Sequence, residues 1–217
     1  MSTIPMFPSL ASPPQRHGEG REVLDRYYTP DEVAAALVRH LPDLDDPARL
    51  APGVSVWRDG CLQRGEGWPR ILEPSVGGGA WVDALRERWS GARIHGHDID
   101  LGAEGLRRCD SCTTGDFLGV DLTKVGFVAV VGNPPYRDAE AHVRHALKHA
   151  PVVAFLLRLA FLESLQRAPL WREHPAAKVV VLSRRPSFTN GGTDSAAYGF
   201  FIWDQAHDGP TELVVMS

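Results

Sequence analysis

The sequence predicts an α/β fold built on a mostly parallel sheet, and three observations carry that reading. From Arg70 onward, short apolar runs alternate with amphipathic stretches, the rhythm of strand–helix units rather than of a bundle or a sandwich. The runs are apolar throughout instead of alternating, with Phe127-Val128-Ala129-Val130-Val131 the clearest, as expected of strands covered on both faces. They stop at Glu73-Pro74, Asp98 and Asn133-Pro134, so polar groups collect at the carboxyl ends of the strands, where ligands of such sheets bind.

Composition agrees with one globular domain. The 217 residues are 43% hydrophobic and 23% charged, which excludes a disordered or fibrous chain. Basic residues number 23 against 27 acidic, for a net charge of −4, so bulk positive charge does not hold this chain on a polyanion. Three cysteines are too few for a disulfide framework and fit a reducing compartment. No apolar run reaches the roughly 18 residues of a membrane span, and the first residues lack the pattern of a secretory leader. A cytoplasmic location is the expectation, with no membrane contact.

Element by element, residues 1–21 hold Pro5, Pro8, Pro13, Pro14, Gly18 and Gly20 and read as a flexible tail. Order is expected from near Val23, with one domain over 22–217. Thr29-Pro30-Asp31-Glu32 reads as a helix start, Thr29 capping, Pro30 in the first turn and Glu32 closing a capping box. Val33, Ala36, Leu37 and Leu41 continue the helical spacing. Residues 42–69 read as an insertion or irregular segment, with a short helix or turn within Leu50 to Leu62. Strand Ile71-Leu72, a glycine turn and a helix over Ala80 to Trp89 follow. Next come strand Arg93–His97, a helix over Leu101–Arg108, a short edge strand before Gly115, and the run to Val131. Helices are expected over Asp138–Ala150 and Pro151–Gln166, with Arg158 in the second pairing with a carboxylate such as Glu163. Lys178–Ser183 reads as a buried strand, and Tyr198–Trp203 with Glu212–Met216 as a closing antiparallel hairpin.

Chemistry gathers at the strand ends. Glu73-Pro74-Ser75-Val76-Gly77-Gly78-Gly79 is a strand, a tight turn and a helix start, in which Gly77 and Gly79 let the backbone approach a ligand. No lysine followed by Ser or Thr is present, so this is not a phosphate-cradling loop; a bare helix-packing turn is the alternative. Asp98 lies about 20 residues further on, where a carboxylate accepts ribose hydroxyls, or simply caps a helix. Asp116 with Phe117 suits an adenine ring, accepting its amino hydrogen and packing on its face. Asn133-Pro134-Pro135-Tyr136, ending a buried strand, is far more specific.

With that motif the chain resembles the S-adenosylmethionine-dependent amino methyltransferases, above all the DNA adenine-N6 group. Tyr27-Tyr28-Thr29-Pro30 is similar to the family's Tyr-x-Thr-Pro element before the first helix, and the matches run in family order to Tyr136. The resemblance implies a class I (Rossmann-like) fold with a seven-stranded sheet and S-adenosylmethionine as cofactor. It assigns cofactor contacts to Tyr28, Thr29, Pro30, Glu73, Pro74, Ser75, Gly77, Gly79, Asp98, Ile99, Asp116 and Phe117. Catalysis falls to Asn133, Pro134, Pro135 and Tyr136. The segment Arg184-Arg185-Pro186-Ser187-Phe188 resembles the family's post-catalytic loop, which implies Phe188 against an extruded base and Arg184 and Arg185 on phosphates.

The expected reaction is methyl transfer to an exocyclic amine, adenine N6 in DNA first. RNA bases and protein glutamine are the alternatives, because the same motif serves all three. Too few residues separate Tyr136 from Ser183 for a large recognition module, so target choice rests on the 42–69 segment, the Ser187–Ser195 loop or a protein partner. A non-catalytic cofactor-binding module is a further alternative, against which the intact motif argues. Cys109-x-x-Cys112, with Cys61 elsewhere, is half of a zinc pattern, needing His95 or His97 to complete it; ordinary thiols and no metal are the expectation. His142, His145 and His149 share one helical face and read as a solvated face or weak phosphate contacts.

Overall fold

The computed structural model describes residues 28–46, 55–58, 61–64, 69–121, 125–186, 188 and 195–216. The tail 1–21, the start of order near Val23, most of the Ser187–Ser195 loop and much of the 42–69 segment lie outside them. Within that segment Ser55–Arg58 (β1) and Cys61–Arg64 (β2) form an antiparallel ladder, Trp57 opposite Leu62. The expected helix or turn is therefore a hairpin. Val56-Trp57 and Cys61-Leu62 supply strand formers to the two strands.

The main sheet has eight strands, not seven: β3 (Arg70–Glu73), β4 (Arg93–Asp98), β5 (Ser111–Thr114), β6 (Ala129–Gly132), β7 (Val152–Arg158), β8 (Lys178–Leu182), β9 (Tyr198–Asp204) and β10 (Glu212–Met216). Their spatial order is β5-β4-β3-β6-β7-β9-β8-β10. β9 alone runs antiparallel, against both β7 and β8. The chain leaves β3 toward β4 and β5, then returns through β6 on the other side of β3. This reversal opens a crevice above the carboxyl ends of β3 and β6, the ligand position of doubly wound sheets.

Side chains alternate across the sheet with period two. Val152, Ala154 and Leu156 of β7 join one core, with Tyr198 and Phe200 of β9 and with Leu37, Trp81 and Leu85 of the helices α1 (Asp31–Val38) and α2 (Ala80–Arg88). Val153, Phe155 and Leu157 face the other way, with Phe201 and Trp203 and with Val143 of α3 (Ala139–Leu147) and Leu170 of α4 (Ala168–Glu173). Helices therefore cover both faces, which is why the strands read as unbroken apolar runs.

Four expectations change. The second expected helix is β7 followed by a short 3-10 turn, Leu159–Leu162; a strand buried on both faces leaves no period-two signature to separate it from a buried helix. Arg158 ends β7 and lies over the Tyr136 ring, centroid distance 5.2 Å, rather than in a helix beside Glu163. The helix over Leu101–Arg108 shrinks to a 3-10 turn, Glu104–Arg108, whose Gly105 packs on Gly79, leaving no room there for a Cβ. β9 and β10 do not pair as a hairpin, because β8 lies between them, and β10 runs parallel to β8 with Lys178 Nζ 3.0 Å from Glu212 Oε2.

Candidate active site

A cleft of about 450 Å³ occupies the crevice at the switch point. Its walls come from four strand ends. The loop after β3 brings Pro74, Ser75 and Gly77, the end of β4 brings Asp98 and Ile99, and the turn after β5 brings Asp116 and Phe117. The loop after β6 brings Asn133, Pro134, Pro135 and Tyr136, and Tyr28 closes the side. Residues separated by as much as a hundred positions in the chain thus meet in one space. Thr29 and Gly79 line a smaller recess of about 160 Å³ that shares Tyr28, Ser75, Gly77 and Asn133 with the cleft.

The glycine loop is pinned by the acid predicted to face it. Asp98 Oδ2 accepts from the Gly77 amide at 2.8 Å, and Oδ1 accepts from the Asp100 amide at 2.8 Å. One carboxylate therefore fixes the β3 turn and the β4 turn at once while remaining on the cleft wall. Gly77 has φ +49°, and a Cβ there would stand 2.8 Å from the Tyr28 ring, so both the backbone angle and the close ring demand glycine. At the next strand end the exposed Asp116 turns its own loop, Oδ1 accepting from Leu118 N at 3.0 Å.

Two assigned residues stand elsewhere. Glu73 lines neither space; it is fully buried beneath the loop, where Oε1 accepts weakly from Ser75 N at 3.4 Å and Oε2 has no partner. Burial raises its carboxyl well above the ordinary range, against the opposing pull of the Ser75 amide, with the Asp98 charge adding to the rise. A Cβ at Gly132 would collide with Oε1, so the start of the β6 loop is built around this carboxyl. Pro30 also lies off both spaces: it is the N-cap of α1, its carbonyl accepting from Val33 and Ala34. The expected Thr29 cap is displaced because the Thr29 hydroxyl accepts instead from the buried Trp81 indole at 3.1 Å.

The Asn133–Tyr136 segment leaves β6 extended, Pro135 at φ −54° and ψ 124°, and enters a 3-10 turn over Tyr136–Asp138. Pro134 is buried and Pro135 exposed. The Tyr136 ring lies 5.6 Å from that of Tyr198, with the Arg158 guanidinium over it. Phe188 is buried edge-on to Tyr198 at 4.9 Å. It therefore stands one ring behind Tyr136, in the core rather than on the cleft wall, because the apolar edge of β9 captures it. Arg184 and Arg185 are exposed and line none of these spaces.

His142, which the sequence placed on a solvated face, is buried and lines the cleft. It stacks on Phe117 at 5.3 Å and meets the Asp138 carbonyl through Nδ1, while His145 meets the same ring edge-on at 4.9 Å. Burial lowers the pKa of both. One face of Phe117 is thus filled by imidazole, and no periodicity signals this, since histidine suits either environment. His95 and His97 engage Ser111 and Thr113 hydroxyls and the Gly115 carbonyl rather than a metal with the cysteines. Cys109 is pushed up to about 12 by burial, and among the described residues no group of three metal-binding side chains exists; the Cys61 side chain lies outside them.

No family model matches this sequence, and no curated protein matches it. Solved structures do. A Pyrococcus horikoshii protein assigned as an RNA methyltransferase superposes with TM-score 0.56 at 14% identity, covering 83% of this chain and 88% of its own. The 23S rRNA methyltransferase ErmE superposes with TM-score 0.52 at 16% identity, covering 82% and 69%. The fold is accordingly the Rossmann-like fold of the S-adenosylmethionine-dependent methyltransferases. Among the described residues no helix is long and apolar enough to cross a membrane.

Proposed function

We propose that this protein transfers a methyl group from S-adenosylmethionine to the exocyclic amine of a nucleic-acid base, adenine N6 in DNA before others. The observation that carries the reading is convergence: the glycine loop, Asp98, Asp116 and Asn133–Tyr136 all border one cleft at the switch point. S-adenosylmethionine suits that lining, since Gly77 allows close backbone approach and Asp98, Asp100 and Asp116 offer carboxylates to a ribose and a cationic ligand. When bound it supplies an electrophilic methyl.

The remaining work belongs to the protein. An exocyclic amine delocalises its lone pair into the ring and is a poor nucleophile. The Asn133 side-chain carbonyl and the Pro134 main-chain carbonyl each accept one amino hydrogen, favouring the pyramidal nitrogen whose lone pair is free to attack. Pro134 and Pro135 stiffen the loop, so both acceptors are in place before the base arrives. Tyr136 stacks on the base and sets its plane; a base reaching it leaves the helical stack or comes from a single strand. Phe117, backed by His142, walls the adenosine end. RNA is the second reading, favoured because both solved structures of like fold described above are assigned to RNA.

The test is transfer of labelled methyl to duplex DNA, single-stranded DNA, RNA and a protein extract in parallel. N6-methyladenine in DNA, lost in Tyr136→Ala, is the expected result. Asn133→Ala is expected to lower transfer by at least on the order of 100-fold while cofactor affinity stays unchanged. Label in RNA alone moves the acceptor to the second reading, label in protein alone overturns a nucleic-acid acceptor, and equal loss of binding and transfer in Asn133→Ala overturns the division of labour.

A further inference from the structure

Beside the cofactor cleft lies a further cavity of about 290 Å³. Tyr136 and Arg137 border both, so the catalytic loop is the partition between them. The rest of its wall comes from the end of β7 and the 3-10 turn after it, Leu157, Arg158, Ala160 and Phe161, and from Arg167. Three arginines thus meet here, and among the described residues lining the cavity there is no carboxylate. The cofactor cleft has the opposite balance, with Asp98, Asp100, Asp116 and Asp138 against Arg137. In a chain of net charge −4, three cationic side chains gather at a cavity that shares Tyr136 with the cofactor cleft.

Two of the arginines are held rather than trailing in solvent. Arg158 is half-buried over the Tyr136 ring. Arg167 is half-buried, donates to the carbonyls of Ala160 and Phe161 at 3.3 and 3.1 Å, and lies 4.9 Å from the Phe161 ring centroid. Carbonyl and ring contacts fix the Arg167 guanidinium in place. Arg137, beside the motif, places Nε 3.4 Å from Asp138 Oδ2. Planar guanidinium forks match the paired oxygens of a phosphodiester.

We propose that this cavity seats a backbone phosphate of the acceptor strand next to the target nucleotide, with Arg137, Arg158 and Arg167 as its ligands and Tyr136 between that phosphate and the cofactor cleft. The inference rests on a nucleic-acid acceptor and adds the side from which the strand enters. It also explains how an acidic protein binds a polyanion: through a local seat beside the reacting base instead of a basic surface.

The experiment measures binding, separately from transfer. Affinity for a fluorescent single-stranded oligonucleotide with a central adenine is followed by anisotropy across a salt series, in the presence of S-adenosylhomocysteine. Arg137→Gln and Arg167→Gln are each expected to weaken binding about tenfold and to flatten the salt dependence by about 0.7 in log–log slope. Arg137→Lys and Arg167→Lys should restore the slope, and a methylphosphonate oligonucleotide, lacking the charge, should bind wild type and variants alike. Unchanged affinity and slope in both Gln variants overturn the seat, even if methyl transfer to nucleic acid is intact. Equally tight binding of a polyglutamate peptide of matching charge overturns it as well. Arginine-dependent oligonucleotide binding with no methyl reaching any nucleic acid would support the seat and sink the acceptor assignment instead.

Discussion

The Glu73 carboxyl is fully buried at the end of β3 with one oxygen unpartnered, and burial raises its pKa well above the ordinary value. A group whose folded pKa is raised stabilises the fold below its unfolded value of 4.5 and withdraws that support as pH rises through the folded value. Glu73→Gln keeps the shape and removes the ionisation. It should melt close to wild type near pH 4 and progressively above it as pH rises toward 8; thermal melts that stay parallel across that range would refute a buried, reluctantly ionised acid. The sequence marked Glu73 as a cofactor contact because it precedes the glycine loop, and only its depth in the molecule shows that it supports the loop from beneath. Asp98 and Asp116, by contrast, border the cleft as their places in the sequence suggest: Asp98 ends β4 and Asp116 lies two residues past β5, where a side chain has little choice but the crevice.

At the scale of elements, α1 is tied to α2 through the Thr29 hydroxyl and the Trp81 indole, with Trp81 stacked on Phe200 of β9 at 5.2 Å. Thr29→Val leaves a buried indole N–H without an acceptor and should cost about 1–3 kcal/mol, lowering Tm by about 2–4 °C per kcal/mol. Thr29→Ser keeps the acceptor and should melt within about a degree of wild type. If Val and Ser melt alike, the hydrogen bond is not what holds α1. This contact also shows why the capping box misled: Ser and Thr caps are read from spacing alone, and a tertiary donor outcompeted the local amide. The same limit hid β7. Val152 to Leu157 alternates between two cores, so every position is apolar and no period survives in the sequence. β6 was recognisable under the same conditions because valines crowd it and Asn-Pro-Pro ends it. The pairing of β10 with β8 had no local signal, since β9 precedes β10 by a hairpin-length loop and only the sheet order separates them.

Across the whole molecule, buried imidazoles form a second reservoir of pH dependence beside Glu73. His95 and His97 form a relay along the β4–β5 edge: His97 Nε2 donates to the Gly115 carbonyl at 2.9 Å and its Nδ1 accepts from the Thr113 hydroxyl at 2.7 Å. The Thr113 oxygen in turn accepts from His95 Nε2 at 3.0 Å, and His95 Nδ1 accepts from Ser111 at 2.8 Å. With both rings neutral, every donor in this relay meets an acceptor. Burial, then the neighbouring His97, lowers His95 to about 4 from 6.5, and burial also lowers His97, His142 and His145. For such groups the unfolded chain takes up protons first, so their support is complete above about pH 6.5 and drains away below it, for His95 as pH falls toward about 4. From His95 alone the loss approaches on the order of 3 kcal/mol. In the Glu73→Gln background, Tm should therefore hold level between pH 7 and 8 and fall steeply between 6.5 and 4.5. His95→Gln, less stable at pH 7, should lose less on acidification, so the two curves converge; curves that remain parallel would place the acid sensitivity in other groups. Because His142 backs Phe117 on the cleft wall, the same titration should weaken cofactor binding at pH values where the fold is still intact, readable by calorimetry at pH 7.5 and 5.5.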